Sequence, residues 1–339
     1  MSDLPELAWQ PPVPRGPVPG IALIGCGGIS ERHLTGYRDA GWPVRVLCSR
    51  DITKAEAHRA TFFPDAVVTT DWREAVARDD VGVVDATPHP PERVPIIEGA
   101  IEAGKHVLSQ KPFVNDLATG ERLCDLADAR GVKLAVNQNG RWAPHMSWMR
   151  CAVDAGLVGE VTAVDVAIHW DHNWIAGTVF DDTPHLLLFD FGIHWFDFIH
   201  SLMGGRAVRA TSASVRRSPT QRAKPPLIGE ATICFNDARA TLNLNGDSAH
   251  VLRNATTVTG TEGAIVSDGV DLQNQEVRLH RADRPDVIAQ LDGQWFPDGF
   301  RGAMGDLLCA IEDDRAPLCS GRSNLSSLQL CWQVIDHLS

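Results

Sequence analysis

Residues 20–37, GIALIGCGGISERHLTGY, carry the pattern on which the reading of this chain turns. The apolar run Ile21-Ala22-Leu23-Ile24 is bounded by Gly20 and Gly25, as expected of a short strand buried on both faces. The period then changes. Gly25, Gly27 and Gly28 make a tight turn, and the ISERHLTGYRDA that follows Gly28 reads as a helix with Ser30, Glu31 and Arg32 near its start. Glycines let backbone N–H groups approach a pyrophosphate, and a helix N-terminus adds partial positive charge. The stretch therefore predicts a dinucleotide turn with Gly25, Gly27, Gly28 and Ile29 against the cofactor. Ser30 stands at the third glycine position of G-x-G-x-x-G, and Gly28 comes one step early.

Outward from this turn the pattern alternates. Strands are predicted at 44–48, 67–69, 81–86, 105–108 and 133–136, with helices at 54–62, 71–78, 92–103 and 117–130 between them. Such alternation implies an α/β unit, a doubly wound parallel sheet of Rossmann type covered by helices on both faces. Ligands of such sheets sit beyond the carboxyl ends of the strands. That singles out Gly25, Ser49, Thr87 with Pro88, Ser109 and Asn137.

Composition narrows the classes. At 339 residues the chain exceeds one typical domain, and two domains are expected. Its 31 basic and 43 acidic residues give a net charge of -12 with no basic block, which argues against nucleic acid and anionic membrane surfaces as partners. The eight cysteines form no C-x-x-C pair and several lie in apolar runs, as in a reducing, cytoplasmic compartment. The first 19 residues hold Pro5, Pro11, Pro12, Pro14, Pro17 and Pro19, an extended arm that is either disordered or packed on its own domain or a neighbouring subunit.

Several motifs give the chain a family resemblance. AIEAGKHVLSQKPFVNDLATG at 100–120, VNQNGRWAP at 136–144 and DFGIHWFD at 190–197 resemble the signatures of the glucose-fructose oxidoreductase and inositol dehydrogenase (Gfo/Idh/MocA) family. The usual form of the first ends in E-K-P; here Gln110 replaces the Glu, and Lys111 and Pro112 are kept. Near Pro88, His89 and Arg93 also depart from the common pattern. The resemblance implies a C-terminal α+β domain with an open, mostly antiparallel sheet that carries substrate and often subunit contacts. The domain boundaries are then 1–20 for the arm, 21–142 for the dinucleotide-binding domain and 143–339 for the substrate and oligomerisation domain. The residues agree, with β-rich runs at 161–170, 208–215, 231–235 and 240–244 and helices at 186–202, 302–311 and 326–337.

The chemistry follows from the same motifs. On one helix, positions 190, 194 and 197 share a face, so Asp190 and His194 project together and Asp197 is an orienting or structural partner. Histidine changes protonation near neutral pH, which suits a general acid/base. The resemblance implies the same assignment and adds Lys111 as the cation at the reacting oxygen, in contact with cofactor and substrate. Lys111, Asp190 and His194 are thus the expected catalytic set, with His169, His172, Trp174 and Trp295 as further substrate contacts. His169, Asp171, His172 and His185 match no zinc spacing, and no metal is expected. The expected reaction is hydride transfer between nicotinamide and a secondary alcohol or ketone of a sugar, polyol or related hydroxy compound. The alternatives are a redox-neutral epimerase or glycoside-cleaving enzyme with retained cofactor, and a non-catalytic sensor. A homodimer or homotetramer is expected from the open sheet.

Cofactor choice turns on the end of the second strand. An NAD-specific site places Asp or Glu there, whereas this chain has Ser49, then Arg50, with Lys54 close behind. A hydroxyl flanked by cations suits a 2′-phosphate, so NADP(H) is favoured and NAD(H) remains usable. Asp51 becomes the NAD-type acceptor if the strand ends two residues later.

Overall fold

The computed structural model describes residues 5–282 and 284–338; residues 1–4 of the expected arm, Asp283 and Ser339 lie outside them. By compactness the chain divides into two units. One comprises 11–142 and 296–326 and is the Rossmann unit; the other comprises 143–295 and 327–339 with residues before Pro11, and is the sheet unit.

In the Rossmann unit, β1 (Ile21–Ile24) is buried at all four positions. It is flanked by β2 (Val44–Cys48) and β4 (Val83–Ala86), with β3 (Val67–Thr69), β5 (His106–Gln110) and β6 (Leu134–Asn137) outside them. All pairings are parallel, in the order β3-β2-β1-β4-β5-β6. The order reverses between β1 and β4, and that crevice is where such sheets bind ligands. Helices α1 (Ser30–Asp39), α2 (Ile52–Phe62), α3 (Trp72–Val76), α4 (Pro90–Glu102) and α5 (Leu117–Arg130) supply the crossovers. Asp51, Asp71 and Asp116 each cap their helix by accepting from a backbone N–H of the first turn.

Residues 296–326, expected with the second domain, pack here instead. Ala303, Met304, Leu307 and Leu308 join Leu34, Tyr37, Trp42 and Trp142 in the apolar core of this unit. Close approach explains two glycines of their helix: a Cβ on Gly302 would lie 2.4 Å from the Trp142 side chain, and one on Gly305 would lie 2.2 Å from the Pro12 carbonyl oxygen.

The sheet unit opens with α6 (Pro144–Asp154), then β7 (Val161–His169). Next come α7 (Ile193–Met203), β8 (Val208–Arg216), β9 (Ile228–Phe235) and β10 (Arg239–Asn245). Four strands absent from the sequence reading complete the sheet: β11 (Arg253–Gly260), β12 (Gly263–Gly269), β13 (Glu276–Arg281) and β14 (Arg284–Ile288). Their order is β14-β13-β12-β11-β7-β10-β9-β8, antiparallel except for the β7–β10 pair. Val164, Val166 and Ile168 alternate onto the buried face of β7, the two-residue period of a one-sided sheet. The late helices are α8 (Phe300–Glu312) and α9 (Gly321–Ile335), the second beginning five residues before the expected start.

The arm from residue 5 to 19 has no regular secondary structure and makes specific contacts. Ser147 donates to the Trp9 carbonyl at 2.6 Å in the sheet unit; in the Rossmann unit the Arg15 backbone N–H donates to Glu312 at 3.0 Å.

Candidate functional site

The glycine turn is built for close approach of a ligand. Gly25 has φ of +104°, and a Cβ there would meet Thr87 Oγ1 at 2.4 Å, so the position admits only glycine. Thr87 fastens the turn by donating to the Gly25 carbonyl at 2.6 Å. Gly27 and Gly28 differ: no described atom lies within 4 Å of a Cβ added at either. Nothing in the chain's own packing requires glycine there, and the open space suits a phosphate seated on the α1 N-terminus. Beside them lies a cavity of about 400 Å³ lined by Gly27, Gly28, Glu31, Lys54, His58 and Phe62. Ser30 replaces the third glycine without crowding, because its hydroxyl donates to the Gly27 carbonyl and lies 2.8 Å from His58 Nε2. Burial holds the His58 imidazole below its ordinary pKa.

At the end of β2 the strand stops at Cys48, which places Ser49 first beyond it. Asp51 caps α2 by accepting from the Thr53 N–H at 3.0 Å and the Thr53 hydroxyl at 2.6 Å. Those bonds hold its carboxyl below the usual carboxylate range. Arg50 pairs with Glu92 at 2.7 Å and is 84% exposed. The Cys26 thiol, buried under the turn, is pushed up to about 12 by desolvation and is inert as a nucleophile.

Lys111 follows β5, half-buried, and its peptide bond to Pro112 is cis. Two sets of side chains hold its surroundings. Arg93, buried on α4, donates to the Pro88 carbonyl at 2.7 Å and to the carbonyls of Pro112 and Phe113, tying the ends of β4 and β5 together. Beneath Lys111 lies a buried polar network. Gln110 Oε1 accepts from the Lys111 N–H at 2.7 Å, and Gln110 Nε2 lies 3.3 Å from His33 Nε2. Asn137 Nδ2 lies 3.2 Å from the same His33 nitrogen. On the far side of the ring, His33 Nδ1 is 2.7 Å from Asp85 Oδ2, to which Tyr37 also donates at 2.6 Å. Desolvation, with Asp85 beside it, raises the Tyr37 hydroxyl well above its ordinary pKa and keeps it a donor.

In the sheet unit, the expected single helix over 186–202 is two pieces. A π-helical turn, Leu187–Phe191, precedes α7, so Asp190 lies in wider winding than His194 and Asp197. Gly192 forms the joint: a Cβ there would lie 2.7 Å from the Leu188 carbonyl oxygen. Asp190 is half-buried, His194 is 9% exposed, and its ring meets Trp295 edge to face at 5.3 Å. Asp197 accepts from Ser327 at 2.7 Å. Trp295, the neighbour of the His194 ring, is 1% exposed.

His169 ends β7 in a half-buried position. His172 Nδ1 accepts from Trp170 Nε1 at 2.7 Å, and its ring meets Trp174 at 5.2 Å. Trp174 is 58% exposed and Phe191 stacks on Trp170 at 3.8 Å, an aromatic surface suited to the apolar face of a ring. Among the described residues no group of three His, Cys, Asp or Glu is placed to hold a metal ion.

Comparison with known proteins places this arrangement. The model described as "Oxidoreductase family, NAD-binding Rossmann fold" matches residues 20–138, and the GFO/IDH/MocA C-terminal domain matches 146–266. The chain belongs to the GFO/IDH/MocA family. Among its relatives are D-apiose dehydrogenase of Paraburkholderia graminis, 25% identical over 91% of this chain and 84% of that protein. Myo-inositol dehydrogenase Hyg17 of Streptomyces leeuwenhoekii is 30% identical over 68% of each chain. The fold is shared with an Agrobacterium radiobacter oxidoreductase solved with NAD+, L-tartaric acid and magnesium, at a TM-score of 0.80 and 17% identity over 95% of this chain and 96% of that one.

Within this GFO/IDH/MocA protein, the sequence reading missed Arg93, His33, Asp85 and Asn137 as organisers of the Lys111 region. One signal was present. Asp85 is a charged residue inside the apolar run Val83–Ala86, and a buried charge needs partners.

Proposed function

We propose that this oxidoreductase acts on a secondary alcohol or ketone of a sugar, polyol or related hydroxy compound, with NADP(H) favoured and NAD(H) usable. The observation that carries the reading is the open space beside Gly27 and Gly28 at the α1 N-terminus, where glycine answers no need of the chain's own packing. Membership of an NAD-binding oxidoreductase family supports it, as do the names of the apiose and inositol dehydrogenases among the relatives.

Gly25, Gly27, Gly28 and Ile29 would hold the pyrophosphate, Ser49, Arg50 and Lys54 the adenosine ribose, and Thr87, Pro88 and Lys111 the nicotinamide half. The nicotinamide, when bound, supplies the two-electron exchange. Lys111 presents a cation to the reacting oxygen, which favours the charge that develops there. His194 exchanges the hydroxyl proton, with Asp190 as its partner, and Trp295 limits how its ring turns. His169, His172 and Trp174 are assigned to the substrate. For cofactor choice, Ser49 places no carboxylate directly after β2, and Asp51 is engaged as the α2 cap.

The test is a panel of sugars and polyols with each cofactor. A net change in nicotinamide absorbance with a panel member is the expected result. Turnover of a panel member without net absorbance change would replace this reading with a redox-neutral one, and absence of both would leave a sensor.

A further inference from the structure

The buried network below Lys111 has a protonation pattern that one backbone group decides. The Lys111 N–H is a donor that cannot be exchanged, so the Gln110 atom 2.7 Å from it is the carbonyl Oε1. The Gln110 nitrogen must then be the atom facing His33 Nε2. Asn137 Nδ2 donates to the same Oε1 at 3.3 Å, which fixes the Asn137 amide as well and turns its second N–H toward His33 Nε2. Two amide donors therefore converge on that ring nitrogen, which must be a lone pair. The ring proton sits on Nδ1, pointing at Asp85 Oδ2. An imidazolium here would set N–H against N–H. The groups facing the ring are thus Asp85 and Tyr37 on one side and Gln110 and Asn137 on the other, with the Phe300 ring at 4.9 Å.

We infer that the chain Asp85–His33–Gln110, braced by Tyr37 and Asn137, is the positioning device of Lys111: a neutral Nδ1–H imidazole aligns both amides so that Gln110 Oε1 clamps the Lys111 backbone. The inference rests on Lys111 having the role assigned to it above. His33, Tyr37, Asp85 and Asn137 are fully buried and Gln110 nearly so, and Asp85 Oδ1 has no hydrogen-bond partner among the described residues. Stability alone is served as well by apolar residues of the same volume. What the network adds is placement. His33, Asp85 and Asn137 are positioning residues, acting on Lys111 through Gln110.

The experiment labels the histidines with ¹⁵N and reads the His33 ring nitrogens by long-range proton correlation, identifying the signals by their contact with the Phe300 ring. Wild type at neutral pH should show the neutral Nδ1–H form; an Nε2–H form or an imidazolium there would overturn the inference without any variant having to fold. In kinetics, Gln110→Ala should lower kcat roughly 10- to 100-fold, the scale of a misplaced group, with little change in cofactor KM. Gln110→Glu keeps an acceptor for the Lys111 N–H and should recover part of that loss. A Gln110→Ala enzyme with lower Tm and unchanged kcat would make the network merely structural. Lys111→Ala separates the two claims. If it is inactive while Gln110→Ala is fully active, the inference fails and the role of Lys111 stands. If Lys111→Ala keeps full turnover, that role fails and the positioning claim falls with it, whatever the tautomer.

Discussion

Arg93 donates to the carbonyl of Pro88 at 2.7 Å from a fully buried position, and the same guanidinium also reaches the carbonyls of Pro112 and Phe113. One planar fork therefore sets the spacing of two strand-end loops. Lysine is a point charge and cannot span both. Arg93→Lys should lower the unfolding free energy by about 2–3 kcal/mol, the worth of one or two charge-assisted bonds, and reduce kcat/KM. Urea unfolding with parallel kinetics checks it; an unchanged midpoint would remove Arg93 from this role.

His194→Ala and Lys111→Ala should each lower kcat by roughly 10²- to 10⁴-fold, the usual worth of one positioned acid/base group. Cofactor affinity, measured by fluorescence titration, should change little for His194→Ala. Near-normal turnover in both variants would discard the proposed mechanism.

Wild type should show a higher kcat/KM with NADP(H) than with NAD(H). Arg50→Ala should narrow the difference, because an exposed guanidinium shared with Glu92 is free to reorient toward a 2′-phosphate. A preference for NAD(H) that survives the substitution would reverse the assignment.

Gly192→Ala should destabilise by about 1–3 kcal/mol, since the new methyl must displace the Leu188 carbonyl from 2.7 Å. The joint also sets where Asp190 sits relative to α7. Activity should fall further than the loss of stability accounts for when both are measured at a temperature where the variant is folded.

Burial lowers the His145 pKa from 6.5 to about 3; among the described residues its Nε2 has no hydrogen-bond partner, and the Trp295 ring lies edge-on at 6.0 Å. Between those values the unfolded chain binds a proton that the folded one refuses, so unfolding free energy falls as pH drops through this window. The slope from this group approaches about 1.4 kcal/mol per pH unit. In His145→Gln the dependence between pH 6.5 and about 3 should be shallower by that amount. Denaturant midpoints at several pH values give the comparison; equal slopes would show that His145 is not the group responsible.

The Rossmann unit was legible because its strands are apolar runs punctuated by glycine and because each helix between them has its own boundary signal. The end of β2 at Cys48 was read to the residue. The sheet unit was half legible. β11, RNATTVTG, spreads threonine over both faces, so its period of two carries little hydrophobic contrast. The π turn at Leu187–Phe191 escaped because every residue from Leu186 to Phe189 is apolar, and an unbroken apolar stretch has no phase from which to read a change in winding. The network around His33 joins residues 52, 77 and 104 positions apart, and no local pattern connects them.

The late arrival of α8 in the Rossmann core has a consequence for biosynthesis. A nascent chain that has emerged as far as Trp142 contains all six parallel strands, yet the apolar surface of Leu34, Tyr37, Trp42 and Trp142 has no Met304, Leu307 or Leu308 to close over it. At ribosomal speeds of about 5–20 residues per second, the roughly 170 residues separating Trp142 from the end of α8 take on the order of 10–30 s to appear. For that interval the nucleotide-binding half carries an unfinished apolar face, the kind of surface that favours aggregation until it is covered.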